Sequence, residues 1–270
     1  MRKCLFSICF IFVVIIFVVN GNGEESVDFS FVVVSDLHIA EKNGIEQFKA
    51  FVEQVEAIEP KPELIVVTGD IHAKDFEKLF HELKPGIPFH VVFGNHEDRS
   101  DRKLLANMFS QDITGNDFYS FTYKNAKFII LCTAADNGDH IGHFESEGIK
   151  GEEQQIWLEK QLQEAGTSKS LSFMFTHIPP NPEGKAKNMF ISSNDQKALQ
   201  NLFRIYKPTA MFCGHLHERQ EFLIENVPVI VVPSLNWNFE NQPAGFYQVK
   251  IKNTEFRSEF IPLKISVENK

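Results

Sequence analysis

Short runs of apolar residues recur along the chain from residue 29 onward, and each run has the length of one β-strand. The runs are rich in β-branched and aromatic residues, which favour strands. Because each run is nearly continuous in apolar character, the strands are expected to be covered on both faces. The seven runs are FSFVVVSD (29–36), LIVVTGD (64–70), FHVVFGNHE (89–97), KFIILCT (127–133), LSFMFTH (171–177), AMFCGHLH (210–217) and VPVIVVPS (227–234).

Apolar residues at helical spacing lie between several of these runs. The first stripe ends before Pro60 and Pro62, because proline does not continue a helix. The last stripe is expected to begin at a cap formed by Ser193 or Asn194. The three stripes comprise Ile45, Phe48, Phe51, Val52, Val55 and Ile58; Ile156, Trp157 and Leu162; and Ala198, Leu199, Leu202, Phe203 and Tyr206.

The alternation of strands and helices predicts an α/β fold with helices on the faces of the sheets. Two further strand-like segments, AGFYQVKI (244–251) and EFRSEFIPLKI (255–265), follow one another without a helical stripe between them. They are expected to close the fold as an antiparallel edge. Since the chain shows no linker or internal repeat, we expect one domain.

The N-terminal segment has a different pattern from the rest of the chain. Arg2 and Lys3 precede an apolar stretch over residues 5–19, and small and polar residues follow it. This is the layout of a secretory signal peptide. As a helix the stretch reaches only ~22 Å, short of the ~30 Å hydrocarbon core of a bilayer. We expect cleavage of residues 1–23 and a secreted, extracytoplasmic domain of residues 24–270 without a membrane span, with an uncleaved anchor as the alternative.

The chain is acidic, with 27 basic and 36 acidic residues and a formal net charge of −9. An acidic surface repels nucleic-acid backbones, so a duplex nucleic acid is not an expected partner. Cys132 and Cys213 are the cysteines that follow the leader, and each lies within an apolar run. Two buried thiols are expected, with a disulfide as the alternative in an exported protein. The sequence leaves the oligomeric state open.

Side chains able to bind metals stand at the ends of five of the seven apolar runs. In open α/β sheets, ligands collect outside the carboxyl ends of the strands. Residues i and i+2 of an extended segment face the same side, so His215 and His217 are expected to address one site. The candidate residues are Asp36, His38, Asp70, Asn95, His96, His177, His215 and His217.

Imidazoles and carboxylates without thiolates suit divalent zinc, iron, manganese or magnesium. One ion takes three or four protein ligands, so the candidate set is too large for one ion and fits two ions that share a carboxylate. Two ions about 3.5–4 Å apart form the clamp used for in-line displacement at phosphorus. The pattern therefore favours phosphoryl chemistry.

Five motifs follow one another along the chain: SDLH (35–38), TGD (68–70), GNHE (94–97), THIPP (176–180) and CGHLH (213–217). Together they resemble the calcineurin-like metallophosphoesterases over essentially the whole mature chain. The segment GEEQQIWLEKQL (151–162) is similar to a helix of the cyclic-nucleotide-phosphodiesterase-like and purple-acid-phosphatase-like branches. The resemblance implies a four-layer α/β/β/α sandwich of two mixed sheets, with helices on the outer faces and the metal site at the carboxyl ends of the strands.

The resemblance also implies a role for each candidate residue. Two divalent metal ions, manganese, iron or zinc, would activate a hydroxide that attacks the phosphorus of a small-molecule phosphate ester. His96 would face the substrate, stabilising the developing charge or protonating the leaving oxygen. The first metal would be held by Asp36, His38 and His217, the second by Asn95, His177 and His215, and both by Asp70.

Departures from the family motifs narrow the branch. Ala73 replaces the second aspartate of GDxxDRG and the tyrosine of GDxxY, which argues against the protein serine/threonine phosphatases and the purple acid phosphatases. The phosphodiesterase-like branch is the nearest, and both diesters and monoesters remain candidate substrates. The alternatives are a catalytically degenerate relative that acts as a binding module and a metal hydrolase of amides or carboxylic esters.

Expectations for a few other residues follow from their place in the chain. His72 is expected in a surface loop, with a pocket position as the alternative. Glu97 or Asp98 is a candidate for a contact to a metal ligand. The polar segment 134–153 is expected to form part of the substrate wall. Trp237 is expected to pack in the core, with stacking on a base as the alternative.

Overall fold

The computed structural model of the protein describes residues 28–145, 150–182, 185 and 188–265. The expected leader, residues 1–23, lies outside the described residues. Within the described ranges, no helix has both the length and the apolar composition needed to cross a membrane.

One sheet combines N-terminal and C-terminal strands in the order β11-β10-β1-β2-β3. Strands β1, β2 and β3 are parallel to one another, and β10 lies antiparallel to both β1 and β11. The closing antiparallel pair expected at the sheet edge is therefore confirmed. The strands of sheet one are β1 (Phe29–Val34), β2 (Leu64–Val67), β3 (Phe89–Val91), β10 (Gly245–Lys252) and β11 (Glu255–Pro262).

The second sheet has the order β4-β5-β6-β7-β9-β8. Its four central strands are parallel, and an antiparallel strand borders each side. The apolar runs do not reveal β4 and β8, because these edge strands are partly or fully exposed at most positions and lack a continuous apolar stretch. The strands of sheet two are β4 (Tyr119–Tyr123), β5 (Ala126–Ile130), β6 (Leu171–Phe175), β7 (Ala210–Cys213), β8 (Gln220–Ile224) and β9 (Val227–Val231).

All three predicted helical stripes form helices, and two shorter helices, α2 and α3, were not predicted. The expected cap of α5 is wrong by one residue: Ser192, rather than Ser193 or Asn194, accepts a hydrogen bond from the backbone N–H of Asp195 at 3.3 Å. The helices are α1 (Gly44–Glu56), α2 (Ala73–Leu83), α3 (Arg99–Met108), α4 (Gly151–Ser168) and α5 (Ser193–Tyr206).

The two sheets pack face to face through phenylalanine rings. Phe31 on β1 lies with its ring centroid 5.0 to 6.3 Å from four rings on β5, β6 and β7. On the outer side of sheet one, Phe51 of α1 contacts Phe246 of β10. On the outer side of sheet two, Leu158 of α4 and Leu199 of α5 belong to one cluster with strand residues. The predicted four-layer α/β/β/α sandwich is confirmed.

Cys132 and Cys213 are both buried and unpaired. Burial raises the pKa of the Cys132 thiol to about 11 and raises that of Cys213 as well. The expectation of two buried thiols is confirmed. The thiols act as small apolar side chains rather than as nucleophiles or metal ligands.

Truncating the ring at the centre of the sheet interface should destabilise the whole fold. Phe31→Ala is expected to lower the free energy of unfolding by about 3–5 kcal/mol, because the cavity lies between two rigid sheets. Urea unfolding followed by circular dichroism measures the change. Leu223→Ala is the control, since Leu223 is 65% exposed, and it should change stability by less than about 0.5 kcal/mol. Equal effects of the two substitutions would contradict this description of the interface.

Candidate metal centre

The candidate residues follow parallel strands of both sheets, whose carboxyl ends meet at one crevice. Sheet one delivers its side chains after β1, β2 and β3, and sheet two after β6 and β7. Hydrogen bonds join the two sheets at this edge. His177 Nδ1 donates to the carbonyl of Thr68 at 2.7 Å, and the backbone N–H of His215 donates to Asp36 Oδ2 at 3.0 Å. The crevice is therefore a fixed junction between the sheets.

Most of the candidate residues lie in turns after the strands, not in extended backbone. The expectation that His215 and His217 share one face of an extended segment is wrong, because β7 ends at Cys213. Non-glycine residues rarely adopt positive φ, and such conformations cluster at functional sites. Positive φ angles occur at Asp36 (49°), His38 (41°), Asp70 (54°), His215 (72°) and His217 (50°).

The first cluster contains Asp36, His38, Asp70 and His217, all of them buried. The Nε2 atoms of the two histidines lie 3.0 Å apart. His217 Nε2 is 3.2 Å from Asp36 Oδ1, and His38 Nε2 is 3.7 Å from Asp70 Oδ2. Two ligand atoms of one ion, each ~2.1 Å from it, lie ~3.0–3.4 Å apart at octahedral or tetrahedral angles. The spacing of the cluster therefore suits one cation.

The second cluster contains Asp70, His177 and His215, again all buried. His177 Nε2 lies 3.2 Å from Asp70 Oδ2 and 3.0 Å from Asn95 Oδ1. Asn95 is buried too, and it adds a neutral oxygen to this cluster. The structure thus brings all seven predicted metal ligands together, with Asp70 common to the two clusters.

The hydrogen bonds of the imidazoles leave their Nε2 atoms facing the clusters. The Nδ1 atoms of His38, His177 and His217 each lie 2.7 to 3.0 Å from an oxygen, provided by Glu41, Thr68 and Trp237 respectively. When neutral, a ring that donates from Nδ1 presents a lone pair at Nε2, which is the tautomer required of a metal ligand.

Some polar atoms of the two clusters have no partner among the described residues. Asp36 Oδ1 and His215 Nε2 are buried without a hydrogen-bond partner. Buried polar atoms are normally paired, so such atoms next to facing lone pairs call for a bound cation. These donor atoms fit two divalent ions.

The second cluster shifts the pKa values of its two histidines in opposite directions. Burial disfavours the charged form of His177, but the Asp70 carboxylate outweighs it and raises the pKa of His177 to about 10. Burial and the charge of His177 lower the pKa of His215 to about 3. Although burial opposes its ionisation, His177, together with His96 and His38, holds the pKa of Asp70 well below its usual range. Asp70 therefore stays ionised and attracts positive charge into the crevice.

His96 lies at the open side of the clusters. Its side chain is 47% exposed, and its Nε2 is 3.9 Å from Asp70 Oδ2. The backbone N–H of His96 donates to Asp70 Oδ1 at 3.1 Å, which fixes the position of the residue. His96 is therefore close to the clusters without belonging to either.

The buried carboxylate of Glu97 holds two of the ligand loops together. It accepts hydrogen bonds from the backbone N–H groups of Asp70 (3.0 Å), Ile71 (2.7 Å) and Gly94 (2.7 Å). Burial and the charge of Asp70 raise its pKa. Glu97 thus makes the expected contact to a ligand through the backbone of Asp70, whereas Asp98 caps α3.

Arg102 is a second supporting residue, and no sequence signal indicates it, since arginines on short helices are usually solvated. Its side chain is only 2% exposed. The guanidinium donates to the carbonyls of Glu97 (3.0 Å) and Ala134 (2.8 Å) and forms an ion pair with Asp117 at 2.9 Å. Arg102 therefore fixes the loop after β3 to the loop after β5.

Two glycines allow the backbone to approach the aspartates. A Cβ at Gly94 would overlap Asp70 Oδ1, and a Cβ at Gly214 would lie 2.6 Å from Asp36 Oδ2. Side chains at these positions would displace the carboxylates from the clusters. Only glycine therefore fits at these two positions without displacing an aspartate.

The expectations for the other residues are partly corrected. His72 is not in a free surface loop, because its Nε2 lies 3.3 Å from His38 Nδ1. In segment 134–153, of which residues 146–149 lie outside the described residues, His140 lies 5.2 Å from the ring of His215, measured between centroids. Trp237 is not packed in the core, since it is 44% exposed. Its ring centroid is 4.0 Å from that of His217.

Comparison with known proteins assigns the family. Residues 29–219 match the family described as Calcineurin-like phosphoesterase. A probable glycerophosphodiester phosphodiesterase GpdQ of Arcobacter nitrofigilis is 29% identical, over 74% of this chain and 76% of that protein. A serine/threonine-protein phosphatase CPPED1 of Danio rerio is 26% identical, over 74% of this chain and 69% of that protein. Ala73 argues against the protein serine/threonine phosphatases, yet the chain is similar to a protein that carries this name.

A solved structure agrees with this assignment at the level of the fold. The structure described as a dimetal phosphatase from Danio rerio has a TM-score of 0.67 at 14% identity, and the match covers 89% of this chain and 100% of that one. With a family match over more than half of its length and two clusters of metal-binding side chains, the chain belongs to the calcineurin-like phosphoesterase family and is a metal-dependent phosphoric ester hydrolase.

Proposed function

We propose that the protein is an exported dinuclear phosphoesterase that hydrolyses phosphodiester or phosphomonoester bonds. The observation that carries the proposal is the pair of buried ligand clusters with Asp70 in common. A shared carboxylate keeps two cations close together, as displacement at phosphorus requires. The acidic charge of the chain, −9, argues against a duplex nucleic acid as the substrate.

In this proposal each cluster holds one divalent ion, manganese, iron or zinc. The bound ions would supply Lewis acidity and lower the proton affinity of a water molecule that attacks phosphorus. The ligands proposed for the first ion are Asp36, His38 and His217, those for the second are Asn95, His177 and His215, and Asp70 binds both.

His96 is proposed as the residue that acts on the substrate. Its imidazole is exposed beside Asp70, whereas the ligand imidazoles are buried. From this position it can donate a proton or a hydrogen bond to an oxygen of the ester, either the developing charge or the leaving group. Glu97 and Arg102 keep its loop in place, so the donor is positioned before the substrate binds.

The relatives support two substrate classes for the proposal. One is named as a glycerophosphodiester phosphodiesterase and another as a serine/threonine-protein phosphatase. We therefore propose assays with both diesters and monoesters. The complete ligand set argues against the alternative of a degenerate binding module, in which a missing aspartate or histidine is expected.

Export is proposed from the layout of residues 1–23, with residues 24–270 as the mature enzyme. N-terminal sequencing of protein recovered from the medium of expressing cells tests the proposal. A mature N-terminus close to residue 24 is the expected result. Protein that stays in the membrane with residue 5 intact would instead support the uncleaved anchor.

Removing the metals should abolish hydrolysis, and returning one suitable divalent ion should restore it. The measurement is release of p-nitrophenolate from p-nitrophenyl phosphate and its bis-ester, with elemental analysis of the same samples. Asp70→Asn should lose metal and reduce kcat/KM by on the order of 100-fold or more, since both ions lose a charged ligand.

Asp98→Asn is the matched control for Asp70→Asn, because asparagine caps a helix as well as aspartate does. It should retain both metal and activity. Full activity in chelated wild-type protein, or in Asp70→Asn, would contradict a shared metal ligand at this position.

His96→Ala should keep both metals and lose turnover. Removal of a general acid is expected to lower kcat by roughly 10²–10⁴-fold. His81→Ala removes an exposed histidine from α2 and serves as the control. If His96→Ala lost its metals and kept the kcat of the remaining loaded fraction, His96 would be a ligand and the proposed roles would be wrong.

A further inference from the structure

Two exposed aromatic residues lie beside the first ligand cluster. Trp237 and Phe239 are 44% and 54% exposed. Their ring centroids are 5.2 Å apart and their planes are almost perpendicular, at 85°. The indole also contacts His217, with centroids 4.0 Å apart. One ring of the pair can therefore serve as a floor and the other as a wall for a flat group.

The indole is fixed relative to both histidines of the first cluster. Trp237 Nε1 donates to Glu41 Oε2 at 3.0 Å, and Glu41 Oε1 lies 3.0 Å from His38 Nδ1. The carbonyl of Trp237 accepts from His217 Nδ1 at 3.0 Å. The same residue thus orients one metal ligand through its backbone and connects to the other through its side chain.

The loop that bears the indole is anchored as well. Ser234 Oγ donates to the carbonyl of Asp36 at 2.8 Å, and Asn236 Nδ2 donates to the carbonyl of His38 at 3.0 Å. Gln47 of α1 donates to the carbonyl of Asn236 at 2.7 Å. The position of Trp237 is therefore built into the fold, although much of its surface is open.

Single exposed apolar residues are ordinary on protein surfaces and need no explanation. Ile156 on α4 and Ile205 on α5 are of this kind. Two aromatic rings in contact, anchored to metal ligands, are a different feature. Bases stack on such rings, and the stacking of one base contributes a factor of about 5 to 150 in affinity.

We propose that Trp237 and Phe239 form a stacking subsite for a nucleobase, so that the preferred esters are nucleoside phosphates. This inference rests on the proposed phosphoesterase function and names its substrate class. The carboxylate of Glu41 borders the indole, and the exposed residues Glu240 and Asn241 follow Phe239 in the chain. Such a border suits the N–H and C=O edge of a base better than an alkyl chain.

The test compares two substrates that differ only in the base. AMP and ribose 5-phosphate are the monoester pair, and their methyl esters at phosphorus are the diester pair. The metal-loaded wild-type protein should show a kcat/KM for the base-bearing compound that is about 5- to 150-fold higher, with the difference in KM. Trp237→Leu, which keeps an apolar side chain over His217, should reduce this ratio about 5- to 100-fold. Phe239→Ala should reduce it less, and the control Ile205→Ala should leave it unchanged.

Equal kcat/KM values for the two members of each pair would overturn the subsite. An equal fall in kcat on both substrates in Trp237→Leu would also overturn it, because the indole would then only hold His217 in place. A preference for diacyl glycerophosphoesters that is lost in Trp237→Leu would show that the rings bind an alkyl chain and not a base. That result would also overturn the proposal.

A binding measurement separates this inference from the proposed function. AMP should quench the tryptophan fluorescence of the metal-loaded protein more strongly than ribose 5-phosphate, and Trp237→Phe should abolish the difference. If neither substrate is hydrolysed and the quenching persists, the phosphoesterase proposal fails and the base subsite stands. If both substrates are hydrolysed and AMP quenches no more strongly than ribose 5-phosphate, the phosphoesterase proposal stands and the base subsite fails.

Discussion

Three buried carboxylates at one crevice are the constraint on which the structure depends. Asp36, Asp70 and Glu97 are each 2% exposed or less, and a buried charge is costly unless it is paired or hydrogen-bonded. Glu97 is satisfied by backbone N–H groups, and one oxygen of Asp36 by Ser35 and the backbone of His215. Asp70 Oδ1 accepts from the backbone N–H of His96, and Asp36 Oδ1 and Asp70 Oδ2 face imidazole nitrogens. The local structure is therefore organised around positive charge at this point, which two divalent cations would supply.

The fold meets this constraint by strain and close packing rather than by regular structure. Left-handed turns direct the side chains of Asp36 and Asp70 into the crevice, and Gly94 and Gly214 let the neighbouring backbone approach them. Such turns are unfavourable alone and persist only where surrounding contacts hold them. Arg102 provides part of that support with a guanidinium that contacts two loops. The edge-to-face packing of the phenylalanine rings between the sheets gives the loops a rigid base.

The sequence indicates the central strands, three helices and the set of converging ligands, because each depends on a local pattern or on the carboxyl ends of parallel strands. It does not indicate β4 or β8, whose apolar content is too low for a buried strand. It also misplaces His215 and His217 in extended backbone, since no local signal distinguishes a strand end from a left-handed turn. The contacts of Glu41, Arg102 and Trp237 join residues far apart in the chain, so they emerge only in three dimensions.

Each ligand cluster takes side chains from both halves of the sandwich. Asp36, His38 and Asp70 follow strands of sheet one, whereas His177 and His217 follow strands of sheet two. Cations bound in these clusters would link the two sheets. Their binding energy adds to the resistance of the protein to unfolding, by ~2.7 kcal/mol for an ion present at 100 times its dissociation constant. A shortage of metal would therefore shorten the lifetime of the protein as well as lower its activity, because the metal-free chain would open more readily to proteolysis.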